Sequence, residues 1–294
     1  MRIGIDLGGT KIEGVVVAPD GAVVARHRVP TERDRGYDHV VERVAQVVDA
    51  LRPHAPDART IGVGTPGSLS RRGLLKNSNT TCLNGRPLAD DLARRLGAGV
   101  VLENDANCFA LAEATAGAGR GHRCVFGVIL GTGVGGGIVI DGRVWSGPQH
   151  VAGEWGHHAV DPQGPACYCG QRGCVETLVS GPALAAAYAA RGGPSLDAAD
   201  VFRRAEAGES LAGAVVDAWL GWFGRGLANV VNILDPDVVV LGGGLSNVAA
   251  LYDRGRDVVA RHVFNDECTT PIVRNRLGDA AGVLGAACLV ADPG

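Results

Sequence analysis

One pattern is written twice along this chain, and it limits the fold more than any other feature. Ile5-Asp6-Leu7-Gly8, followed by Gly14-Val15-Val16-Val17, lines up with Val128-Ile129-Leu130-Gly131, followed by Gly137-Ile138-Val139-Ile140. Each copy closes on an Asp-Gly turn, Asp20-Gly21 and Asp141-Gly142. Apolar, β-branched runs on either side of a glycine turn predict strand, turn and strand in that order. Two such units predict a duplicated α/β protein whose lobes each open on a hairpin and face each other across a cleft. The predicted extents are 1–118 for a small lobe and 119–279 for a large one. A small-residue helix within 280–294 is expected to pack back on the first lobe.

Between the hairpins the apolar spacing alternates in kind. Val40, Val41, Val44, Val47, Val48 and Leu51 form one stripe at helical period, which predicts a helix over Tyr37–Leu51. Thr60–Val63 and Val100–Leu102 read as short strands, and Leu88–Leu96 and Asn107–Ala116 as helices. After the second hairpin, helices are predicted at 183–190, 198–207 and 211–231, with a strand at Val238–Leu241.

Charge and composition remove several functions. With 28 basic and 31 acidic side chains the net charge is −3, so no electrostatic footprint for nucleic acid or an anionic membrane is present. No apolar run reaches the roughly 20 residues that span a bilayer. A strand beginning at Ile3 leaves no signal-peptide pattern, and the eight cysteines sit in a chain too long to need a disulfide framework. A cytoplasmic protein is expected.

The first glycine turn, Asp6-Leu7-Gly8-Gly9-Thr10-Lys11, brings backbone N–H groups close to any ligand because no Cβ intervenes. Asp6 is placed to hold Mg²⁺ through water, and Thr10 and Lys11 to reach phosphate. A plain tight hairpin explains the same residues. The second turn, Gly131-Thr132-Gly133-Val134-Gly135-Gly136-Gly137, formally satisfies G-x-G-x-x-G, but a strand follows it where a dinucleotide site needs a helix. Two opposed glycine hairpins suit a nucleotide whose phosphates lie between lobes. Glu103-Asn104-Asp105-Ala106-Asn107 sits after a strand and before a helix. It reads as an N-cap and also as a general base, Asp105, taking the proton of an attacking hydroxyl. Finally, His157, Cys167, Cys169 and Cys174 follow the spacing H-x9-C-x-C-x4-C, with Gly164, Gly170 and Gly173 as turn residues. That is the Cys₃His donor set of a closed structural zinc site; buried cysteines or one redox pair are the simpler alternatives.

Across nearly its whole length the chain resembles the ROK family of bacterial sugar kinases. The resemblance rests on Asp6–Lys11, Glu103–Asn107, Gly131–Gly137, Glu154-Trp155-Gly156-His157, Cys167–Glu176, Leu241–Gly244 and Gly278–Ala287, in that order. It implies an actin-like, RNase H-type two-domain fold that binds ATP, Mg²⁺ and a hexose. It further implies Asp105 as catalytic base and Asn104, Glu154, His157 and Glu176 as sugar ligands. Thr65, Gly67 and Asn79 would line the same pocket. Gly8, Gly9, Thr10, Lys11, Gly131, Thr132 and Gly133 would face the phosphates, and Gly243 and Gly244 the adenosine. His157 would serve both zinc and sugar, so that zinc shapes the sugar loop. A homodimer is implied as well. Family repressors carry a DNA-binding module ahead of the kinase-like part, for which a phosphate turn at Asp6 leaves no room. The segments 76–85, 165–181 and 231–247 look most like manno(fructo)kinases, which predicts transfer to O6 of fructose or mannose. Asn104–Glu113 and Gly131–Gly137 also look very like N-acetylglucosamine kinase, so that enzyme and glucokinase are the alternatives, with a non-catalytic sugar sensor as the contrary class. Cys82 stands where the fructokinases carry a larger aromatic.

Overall fold

The computed structural model of the chain describes residues 1–290, and they fall into two compact units. The first comprises 1–123, 137–152 and the stretch from 276 onward; the second comprises 124–136 and 153–275. The first unit opens with β1 (Arg2–Leu7), β2 (Lys11–Val17) and β3 (Val23–Pro30), then α1 (Tyr37–Leu51) and β4 (Thr60–Thr65). A small hairpin, β5 (Ser68–Leu69) and β6 (Leu75–Lys76), is followed by α2 (Leu88–Leu96), β7 (Gly99–Asn104) and α3 (Asp105–Ala116). The sheet order is β3-β2-β1-β4-β7, with β1 to β3 antiparallel and β4 and β7 parallel to β1.

Local chemistry explains these boundaries. The valine stripe of α1 is buried against Ile3, Ile5, Ile12 and Leu102 of the sheet, and the α-helix stops at Arg52, where Pro53 follows. In α2, Asp90 and Asp91 occupy the first turn, Arg94 and Arg95 the last, and Gly97 closes the helix in the left-handed region. Helix α3 starts two residues earlier than its apolar pattern predicts, because the Asn104 side chain accepts the Ala106 N–H and caps it there.

In the second unit, β8 (Cys124–Leu130) leads into β9 (Val134–Ile140), which passes at Gly137 into the first unit and pairs there with β10 (Arg143–Val144). The chain continues through α4 (Val175–Val179), α5 (Gly181–Ala190), α6 (Ala198–Glu206), α7 (Ser210–Leu234) and, after β11 (Val238–Gly242), α8 (Arg254–Ala260). The last strand, β12 (Ile272–Arg274), and β8 both run parallel to β11. Helix α7 extends three residues beyond the predicted end and stops where Asp235 turns left-handed before Pro236. Its Trp219 and Phe223 stack at 6.1 Å, and Trp155 meets Phe223 edge-on at 6.4 Å and Phe126 at 6.3 Å. Among the described residues no helix is long and apolar enough to cross a membrane.

Segment 137–152 belongs to the first unit, whereas the duplication pattern puts it in the second lobe. The reason is a close packing contact: a Cβ on Gly137 would stand 2.5 Å from the Ala106 carbonyl of α3. Helix α9 (Ala281–Cys288) ends the description, so residues 291–294 of the predicted 280–294 segment lie outside it. This helix lies against the first sheet at backbone contact. A Cβ on Gly62 would fall 1.8 Å from the Ala286 carbonyl, and one on Gly285 would fall 1.8 Å from the Cys108 carbonyl. Gly285→Ala is therefore expected to cost about 3 kcal/mol or more, because the opposing atoms are backbone. A denaturant titration should show the midpoint fall.

Candidate active site and candidate metal centre

The first unit brings the Asp6–Lys11 turn and Asp105 together. Asp6 lies near the end of β1 and its neighbours form the hairpin, in which Gly8 N–H bonds the Lys11 carbonyl at 3.0 Å. Thr31 clamps the turn from the far end of β3: its hydroxyl donates to the Gly8 carbonyl at 2.6 Å and its N–H to the Thr10 carbonyl at 2.9 Å. Lys11 pairs at 3.7 Å with Glu13, a buried carboxylate that also takes Arg26 at 2.8 Å and Arg28 at 2.6 Å. Burial and the nearby charge of Asp105 push the Asp6 carboxyl up to about 6, with Lys11 opposing. Asp105, the first residue of α3, is likewise raised by desolvation, against the lowering bond from the Ala106 N–H. Two carboxylates in one buried neighbourhood suit a divalent cation, whose charge reverses that logic.

Asn104 uses both ends of its amide. Its Oδ1 caps α3, and its Nδ2 donates at 2.9 Å to the carbonyl of Gly67. Gly67 needs glycine, since its φ is +88° and a Cβ would meet the Lys76 carbonyl at 2.5 Å. The pair fixes the predicted pocket turn against the start of α3. Thr65 is fully buried with its hydroxyl toward the Pro66 carbonyl, so a sugar would meet the backbone of this turn and not that side chain. Asn79 is exposed. Sequence reasoning passed over Glu103, although it stands inside the Glu103–Asn107 motif. Its carboxylate accepts the Asn104 N–H at 2.8 Å, the Asn107 side chain at 2.9 Å and the Ser146 hydroxyl. It also passed over Glu113, fully buried and accepting the N–H groups of Ala118, Arg276 and Leu277, which ties α3 to the chain leading into α9. Only a carboxylate in an otherwise apolar helix signalled it.

In the second unit the glycine turn is held from two sides. Glu176, at the start of α4, accepts the Val134 N–H at 2.9 Å, and Gly181 N–H bonds the Gly131 carbonyl at 2.9 Å. Gly156 lies flat on the same strand, where a Cβ would come 1.9 Å from the Val134 carbonyl. Trp155 Nε1 donates to the Gly226 carbonyl at 2.8 Å and anchors the turn that carries Glu154 and His157. Thr132 is exposed. Gly243 has φ +79° and a Cβ there would strike the Leu130 carbonyl at 2.3 Å. At Gly131 and Gly244, by contrast, a Cβ meets no protein atom within 4 Å, so packing does not demand glycine.

His157, Cys167, Cys169 and Cys174 present ligand atoms all within 4.8 Å of one another. Cys167 Sγ stands 3.5 Å from His157 Nδ1, and Cys169 Sγ 3.6 Å from Cys174 Sγ. Bonds of about 2.3 Å to a tetrahedral zinc give edges of about 3.7 Å, so the donor set fits that ion. All eight cysteines are free in this conformation. Burial pushes the Cys174 thiol up to about 12 and raises Cys167, while the backbone N–H of Gln171 lowers Cys169. Cys167, Cys169 and Cys174 would be held as thiolates by a bound cation. Tyr168 Oη lies 2.8 Å from the other ring nitrogen of His157. His158 faces Asn229 at 2.9 Å and takes no part.

Comparison with known proteins agrees with this geometry. The model of the ROK family matches residues 2–293. The chain is 39% identical over 300 residues to an N-acetyl-D-glucosamine kinase of Photobacterium profundum, covering 98% of this chain and 99% of that one. A crystal structure of a ROK hexokinase from Thermus thermophilus superposes with a TM-score of 0.87 at 37% identity, covering 98% and 97% of the two chains. A ROK family glucokinase from Streptomyces griseus, in complex with glucose and AMPPNP, superposes with a TM-score of 0.79 at 31% identity, covering 98% of each. The fold is the actin-like ATPase fold of these kinases, with two mixed α/β sheets built on a repeated hairpin. The chain belongs to the ROK family.

Proposed function

We propose that this protein is an ATP-dependent hexose kinase that phosphorylates the 6-hydroxyl of N-acetylglucosamine or glucose. The observation that carries the reading is the pairing, within one unit, of the Asp6–Lys11 turn with Asp105: Asp6 of β1 pairs with Gly64 of β4, and Gly64 with Glu103 of β7, two residues before Asp105. In the reaction the sugar O6 bonds to the γ-phosphorus, the bond from that phosphorus to the bridging oxygen breaks, and its electron pair leaves with ADP. Asp105 takes the O6 proton. Asn104 and Asp105 of the first unit, with Asn79 and the backbone at Gly67, are the proposed sugar ligands there. Glu154, His157 and Glu176 are those of the second. Gly8, Gly9, Thr10, Lys11, Gly131, Thr132 and Gly133 face the phosphates, and Gly243 and Gly244 the adenosine. Asp6 would hold Mg²⁺, which neutralises phosphate charge. Zinc on His157, Cys167, Cys169 and Cys174 would shape the sugar loop without entering the chemistry.

Fructose or mannose, the acceptor expected from the motif segments, is less well supported. The relatives named above include kinases of N-acetylglucosamine and glucose, and Cys82 departs from the fructokinase pattern. A coupled ADP-release assay over N-acetylglucosamine, glucose, fructose and mannose decides. The highest kcat/KM should fall on one of the first two; a preference for fructose would overturn the assignment. A homodimer in the cytoplasm, implied by the resemblance, belongs to the same proposal, and its oligomeric state is checked by light scattering.

The raised carboxyls give a pH prediction. A base with an elevated pKa is protonated, hence silent, over a wider acid range. The kcat/KM should fall as pH drops through a limb above the ordinary aspartate value of about 4. A profile that stays flat down to about that value would contradict Asp105 as the base.

A further inference from the structure

Gly9 marks a place where three polar groups converge and no side chain intervenes. A Cβ on Gly9 would stand 3.3 Å from Arg33 Nη1, 3.3 Å from Thr80 Oγ1 and 3.7 Å from Asn79 Oδ1. They come from separate segments: the turn after β3, and the stretch between β6 and α2. Thr80 is fully buried, and its hydroxyl has no hydrogen-bond partner among the described residues. Leaving such a group unsatisfied is costly, so its presence beside a ligand turn points to a ligand atom.

Arg33 is free for the same task. Its neighbour Glu32 takes a left-handed backbone, φ 51°, and its carboxylate engages His39 at 2.7 Å, Arg35 at 3.5 Å and Arg43 at 3.7 Å. No ion pair involves Arg33 among the described residues. Thr31, two residues earlier, is bonded to both Gly8 and Thr10, so the segment bearing Arg33 is fixed to the turn. A guanidinium without a counter-ion and a buried hydroxyl donor, grouped over a glycine, form a receptor for phosphoryl oxygens.

We propose that Arg33 is a further catalytic residue of the kinase reaction, its guanidinium and the Thr80 hydroxyl binding the non-bridging oxygens of the phosphoryl group in transfer. This rests on the kinase reading above. As the sugar O6–phosphorus bond forms and ADP departs with the electron pair, the O6 proton goes to Asp105; Arg33 keeps its own protons and stabilises charge. The same cradle then holds the phosphate of the sugar 6-phosphate product. Glycine at position 9 leaves the room.

The test compares the full-length parent with Arg33→Ala, Arg33→Lys and Thr80→Val. Arg33→Ala should lower kcat about 100-fold with sugar KM within about twofold, since the contact is made to the group in transfer. Added methylguanidinium should restore part of that loss, and lysine, lacking the planar fork, should not replace arginine. Thr80→Val should lower kcat about tenfold, as expected for one neutral donor. In calorimetry without nucleotide, Arg33→Ala should weaken the sugar 6-phosphate about tenfold and leave the free sugar unchanged. A kcat within about threefold of the parent, or unchanged 6-phosphate affinity, overturns the inference while leaving the kinase reading intact. A parent that releases no ADP with any hexose overturns the kinase reading; the 6-phosphate measurement then still decides whether the cradle binds phosphate.

Discussion

Asp105→Asn is expected to lower turnover about 100- to 10,000-fold while free-sugar affinity stays within a few-fold. Asparagine keeps the shape and the oxygen that accepts the Ala106 N–H at 2.9 Å, so the start of α3 should hold. It cannot take a proton at neutral pH. The same substitution should stabilise the protein. Desolvation raises the folded-state pKa of Asp105 above its unfolded value, so the ionised carboxylate opposes folding at neutral pH. That penalty is present above the folded pKa and fades as pH falls toward the ordinary carboxylate range. The variant's melting temperature should therefore exceed the parent's at neutral pH and converge with it near about pH 4. Coupled ADP release and a thermal melt at the two pH values check both halves. Turnover within about tenfold of the parent would remove Asp105 as base.

Loss of the proposed zinc should be nearly as damaging, through a different quantity. Cys174 is fully buried beside His157, and Cys174→Ser exchanges a soft thiolate ligand for a hydroxyl. We expect about one zinc per chain in the parent and almost none in the variant. The loop from Glu154 to Cys174 is held by short turns about this donor set, with Gly173 N–H on the Pro165 carbonyl and Val175 N–H on the His158 carbonyl. Without the ion, His157 loses its fixed ring orientation, and sugar KM should rise about 10- to 100-fold. Because zinc would not touch the phosphoryl group, kcat at saturating sugar should fall much less. Elemental analysis with a KM-against-kcat comparison checks this. An equal loss in kcat with unchanged KM would place the metal in the chemistry instead.

Much of this architecture was legible because its signals are local. The valine stripe alone delimits Tyr37–Leu51, and the charge order with Gly97 delimits Leu88–Leu96; both helices have those bounds in the structure. The repeated hairpin is likewise carried by adjacent residues, as is the Cys₃His spacing. What sequence could not show depends on residues far apart. Gly137 looks like one more glycine of the second turn until the Ala106 carbonyl is found beneath it. Glu113 is one carboxylate in an otherwise apolar helix, and it is buried because the backbone N–H groups of the distant Arg276 and Leu277 satisfy it. Arg33 and Thr80 carry no joint signal, since turn and hydroxyl meet only over Gly9. Acceptor choice is the furthest from local pattern. The motif segments alone favoured fructose, whereas the relatives include kinases of N-acetylglucosamine and glucose.

The most direct test of the account follows the phosphate itself. Protein, Mg²⁺ and γ-labelled ATP are incubated with N-acetylglucosamine or glucose, and the products are separated. The account predicts label on the sugar at O6, in equal amount to the ADP formed, and almost none with Asp105→Asn. Label remaining in ATP, or released as inorganic phosphate while the sugar stays unlabelled, would contradict it.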